Sequence, residues 1–133
     1  MGRYYSGDIE GKFWFGVQSS DDANYFGGAE VEMEDEESEE VVAMEYFFEK
    51  EDMPSIDAGI KECLDELGES KQKIDEYFQT HSGYNDNDMA KDLDITVEEL
   101  RDKLTLYARL RLGNQIKACV EGIGKCHFTA DLY

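Results

Sequence analysis

The chain has 133 residues, a length that suits one domain and is too short for two independent cores. Its 32 acidic against 13 basic residues give a formal net charge of -19, while 41% apolar and 12% aromatic content is enough to build a core. A field of that sign opposes the Lys and Arg contacts on which nucleic-acid binding rests. No apolar stretch approaches the roughly 18 to 20 residues of a membrane span.

The first eighteen residues read as a strand pair, Arg3 to Glu10 and Lys12 to Gln18, rich in aromatics and punctuated by glycine, with Gly11 at the turn. Alternation sends Phe13 and Phe15 to one side and Trp14, with Lys12, to the other. Ser19-Ser20-Asp21-Asp22 is a turn or helix-start signal, and Gly27-Gly28 closes the short segment after it. Residues 30–40 hold eight acids, and such a block is expected to be a solvated, partly disordered loop. Val41 to Phe48 follows as the best candidate for a central strand, so that residues 1–50 are mainly β.

From Asp52 the period changes. Ile56, Ile60, Cys63, Leu64, Leu67, Ile74 and Phe78 recur at helical spacing, which predicts a helix over 53–80 with Pro54 in its first turn. Residues 81–88 break it, Met89 to Leu93 suits a short helix, and Thr96 followed by Glu99 is a capping box opening a second long helix over 97–122. That helix carries more apolar residues than one helix pairing buries, which suggests packing against a second copy and hence a homo-oligomer. Gly122 and Gly124 are stop signals, and Cys126, Phe128, Ala130 and Leu132 alternate with polar residues as a last strand over 126–132. The expected fold is a single α+β domain over 1–133. A small antiparallel sheet, made of the N-terminal strands and the C-terminal strand, packs on two long C-terminal helices.

Tests for chemistry mostly fail. A calcium loop starting at Asp86 would need glycine at Lys91 and glutamate at Val97. Cys119 and Cys126 lack the second pair a zinc site needs, and three widely spaced cysteines without an export signal suit reduced thiols in an intracellular chain. The nucleophile elbow, phosphate loop and dinucleotide fingerprint are all missing, so the expectation is a protein that is not an enzyme, with no cofactor and no metal. Residues 89–100 have the rhythm of a helix-turn-helix, but Glu98 and Glu99 stand where phosphate contacts would be made, so the segment reads as a structural helix corner.

Charge is unevenly spread: residues 1–52 hold sixteen acids and three bases, whereas 99–133 hold four acids and six bases. Arg101, Lys103, Arg109, Arg111 and Lys117 fall along one helix, with Arg109 and Arg111 about 200° apart on an ideal helix. They are the one local exception to the acidic field. A planar ring stacked on Tyr5 or Trp14, with phosphates met by Lys12, Arg109, Arg111 and the amides around Ser19 and Ser20, is the ligand site this pattern suggests.

The run Gly2 to Asp22, together with Glu45-Tyr46-Phe47-Phe48 and Leu106-Tyr107-Ala108-Arg109, resembles small uncharacterised acidic proteins of phages and environmental viruses. The resemblance spans most of the chain and carries no motif with transferable chemistry. It implies a viral counter-defence protein acting in the host cytoplasm. Two modes are open: binding and sequestering a nucleotide-type immune signal, which is the leading expectation, or acting as an acidic DNA mimic or protein-binding inhibitor of a basic host defence protein.

Overall fold

The structure, a computed structural model, describes residues 4–12, 22–34, 36–37, 40–81 and 85–131. Five antiparallel strands form one sheet: β1 (Tyr4–Gly7), β2 (Gly11–Lys12), β3 (Ala29–Glu34), β4 (Val41–Glu49) and β5 (Lys125–Asp131), in the spatial order β2-β1-β5-β4-β3. The C-terminal strand therefore takes the centre, and the Val41 strand lies one place from the edge. Four helices follow β4: α1 (Met53–Leu67), α2 (Ser70–Thr80), α3 (Asp86–Leu93) and α4 (Val97–Ile123). This is the α+β arrangement expected, and among the described residues no helix is long and apolar enough to cross a membrane.

Period-two alternation explains the sheet. Cys126, Phe128 and Ala130 of β5 are buried and face the helices, opposite Phe48, Tyr46 and Met44 of β4, while Tyr5 of β1 lies opposite Ala130. The side away from the helices carries Glu45, Phe47, His127 and Thr129, with the Phe47 and His127 rings stacked at 4.3 Å.

Several boundaries differ from the sequence expectation: the first strand ends at Gly7 and not Glu10, and Gly11, expected at the turn, lies in β2 opposite Tyr5. The helix over 53–80 is two helices, because Gly68 takes φ 54°, ψ -130°, which no helix accommodates, and its amide closes α1 onto the Leu64 carbonyl. The Asp86 region opens α3, with the Asn85 side chain accepting from the amides of Asn87 and Asp88 at 2.9 and 3.3 Å. The acidic block is not wholly loop, since Ala29–Glu34 is strand β3. In Glu30-Val31-Glu32-Met33-Glu34 the alternation of acid and apolar residue is a strand pattern, and it outweighs repulsion between carboxylates that water can screen. The Thr96 cap is as expected: its hydroxyl accepts from the Glu99 amide at 3.1 Å.

The breadth of apolar residues on α4 has an internal explanation. Leu100, Leu104, Tyr107 and Leu110 pack with Cys63, Leu67, Ile74 and Met89, whereas Leu112, Ile116 and Val120 pack with Tyr46, Phe48 and Phe128 under the sheet. At 100° per residue the two sets point to nearly opposite sides of the helix. Its N-terminal half is buried by the other helices and its C-terminal half by the sheet, so one protomer accounts for the surplus.

Phe26 joins the two halves. It ends the short 3-10 turn Asp22–Phe26 and is fully buried between α1 and α4 at two glycines. A Cβ at Gly59 or Gly113 would come within 2.7 or 2.5 Å of the ring. The absent side chains are what let the phenyl lie against both helix backbones.

Candidate functional site

The cations of α4 are largely engaged with the protein's own acceptors. Arg101 meets Asp86 at 3.2 Å, Lys117 meets Asp57 at 2.8 Å, and Lys103 donates to the Glu66 carbonyl at 3.0 Å. Arg109 is bound most firmly: its Nε donates to Asp22 Oδ1 at 2.6 Å, and Asp22 is the one buried charged residue among those described. The guanidinium also lies 4.4 Å from the centre of the Tyr25 ring. Burial, then the hydrogen bond to Glu62, pushes the Tyr25 phenol up to about 12, so it presents a neutral ring to Arg109. Burial works against the charge of Arg109, but the bond to Asp22 more than offsets it and the pKa is raised. This group pins the turn before β3 onto α4 and is structural in its geometry.

The residues expected to form a ligand recess are placed as follows. Tyr5 is 5% exposed, its ring packs edge-on to Phe128, and its hydroxyl donates to Gln115 Oε1 at 2.7 Å, so neither face is open to a base. Arg109 is committed to Asp22 and lies across α4 from Arg111, as the 200° separation requires. Arg111 stays exposed, and its charge is felt at Tyr5, Asp75 and Tyr107. Lys12 belongs to β2, opposite Tyr4. Trp14, Ser19 and Ser20 lie outside the described residues, as does the strand Phe13 to Gln18. Of the set, then, Tyr5 and Arg111 are neighbours electrostatically, and Tyr5 is core rather than platform.

A different surface stands out once the sheet is laid out. Among the described residues β3 is an edge strand, and all six of its residues are exposed. Glu30 and Glu32 lie opposite Tyr46 and Met44 and so share the helix side of the sheet. Ala29, Val31 and Met33 lie opposite Phe47, Glu45 and Ala43 on the other side, and Val31 and Met33 are 50% and 37% exposed. Glu34 follows a break in register, and the turn beyond adds exposed Glu36 and Glu37. Glu30, Glu32 and Glu34 make no ion pair among the described residues. The start of the acidic block, within β3, is thus a two-sided ribbon, with the Glu30 and Glu32 carboxylates on one side and the Ala29, Val31 and Met33 side chains on the other. The cue in the sequence was the alternation, which the density of charge obscured.

No family model matches this chain, and neither do any curated protein or solved structure.

Proposed function

We propose that this chain is a non-enzymatic acidic binding protein that engages the basic surface of a protein partner through the β3–β4 ribbon and occludes it. The observation that carries the reading is that every residue of β3 is exposed and that Glu30, Glu32 and Glu34 make no ion pair among the described residues, while Arg101, Arg109 and Lys117 are held by other carboxylates. A net charge of -19 steers a cationic partner from a distance, and fixed carboxylates on a paired strand give that attraction a register. The resemblance to small viral proteins supports a host factor as that partner. Sequestration of a nucleotide-type signal stands as the second reading, supported by the exposed Arg111 guanidinium beside Tyr107.

Titration of a lysine-rich 20-residue peptide by calorimetry separates local from general attraction. Glu30→Gln/Glu32→Gln/Glu34→Gln is expected to weaken binding about tenfold, the sum of three exposed pairs at about 0.5 kcal/mol each. Asp92→Asn/Glu98→Gln/Asp102→Asn removes the same charge from exposed helical positions and is expected to change it less than threefold. Equal losses in both triples would mean that only net charge matters, and would overturn the ribbon as the site.

A further inference from the structure

We infer, resting on the ribbon reading above, that β3 receives the partner as an added strand: an extended segment in which cationic and apolar residues alternate. β3 ends the sheet on its side among the described residues, so alternate backbone N–H and C=O groups of Ala29 to Met33 face away from β4 with no strand beside them. Five residues span about 17 Å, enough for a short strand, and the register break between Met33 and Glu34 limits the pairing to that length.

The side chains decide which segment fits. In a strand added beside β3, neighbouring side chains on each side of the sheet stand roughly 4.5 to 5.5 Å apart. Every second residue of the newcomer therefore meets Glu30 and Glu32, and the intervening residues meet Ala29, Val31 and Met33. Lysine or arginine satisfies the first set, and valine, isoleucine or leucine the second. A second copy of this chain is the wrong occupant, because antiparallel pairing of two β3 strands in one continuous sheet sets glutamate beside glutamate on the helix side. The same charge that forbids self-pairing leaves the edge open to a strand of opposite sign.

The test uses two octapeptides of four Lys and four Val each, one strictly alternating and one with the lysines in a block. The alternating peptide is expected to bind at least tenfold more tightly than the blocked one. Its complex should show amide exchange slowed at least tenfold at alternate positions of Ala29 to Met33. Comparable binding of both peptides with no slowing in β3 would overturn strand addition while leaving the ribbon as a charged surface. Failure of both peptides to bind at low salt would sink the ribbon reading itself. Concentration-dependent slowing in β3 without peptide would overturn the choice of partner and point to self-pairing. Val31→Lys, which places a charge among the apolar side chains of β3, is expected to weaken the alternating peptide at least fivefold and the blocked one less than twofold.

Discussion

Replacing Arg109 by methionine is expected to cost about 3 to 5 kcal/mol of folding stability, read as a fall in the urea midpoint without a large change in slope. The reason lies in Asp22, whose side chain is 1% exposed and would lose the guanidinium that offsets its buried charge. Methionine preserves most of the volume over Tyr25, so the loss reports the broken ion pair with Asp22 rather than a cavity. Adding Asp22→Asn to Arg109→Met removes that charge and should recover at least half of the loss. If the double variant is no more stable than Arg109→Met, the ion pair is not what ties the Asp22–Phe26 turn to α4. The outcome also bears on function, since a guanidinium held for stability is not one waiting for a phosphate.

Phe26→Ala should be comparably severe, at about 3 to 5 kcal/mol, for a different reason. The ring is fully buried, and the walls nearest it are the backbones of two helices at Gly59 and Gly113, which have no side chains to swing into the space. Gly113→Ala alone should also destabilise, because a Cβ there would meet the phenyl at 2.5 Å, and overpacking of this kind costs about 1 to 3 kcal/mol. Together the two changes oppose each other: the new methyl enters the vacated space, and alanine favours helix over glycine by about 1 kcal/mol. The double variant is therefore expected to be more stable than Phe26→Ala. Should it be less stable by the sum of the single losses, Phe26 does not occupy the crossing of α1 and α4.

Most of the fold could be read from periodicity, and the departures have identifiable causes. The Val41 and Cys126 strands and the helices after Asp52 announced themselves because a core on one side of each imposes a regular repeat. The division at Gly68 went unread because Leu67 and Ile74 are seven residues apart and so continue the same helical phase across the break. α4 looked like a helix with one over-broad apolar face, when it has two successive faces that serve two different neighbours. A helix whose apolar face switches partway has the same composition as one with a single broad face, and the placement of the sheet shows the switch. The recess proposed around Tyr5 and Arg109 rested on residue types suited to a ligand. Tyr5 and Arg109 serve the interior instead, through Gln115 and the buried Asp22, and no local pattern links residues separated by 110 and 87 positions. β3 was hidden in the opposite way, by charge dense enough to mask a five-residue alternation.

Exchanging the sign of the ribbon tests its role most directly. Glu30→Lys/Glu32→Lys leaves the chain strongly negative, so general attraction for cations persists while the local pattern on β3 is inverted. Fluorescence anisotropy with alternating Lys/Val and Glu/Val octapeptides is expected to show the natural chain preferring the first and the variant preferring the second. A variant that still prefers the Lys/Val peptide by the natural margin would contradict the account, because partner choice would then follow total charge and not the edge strand.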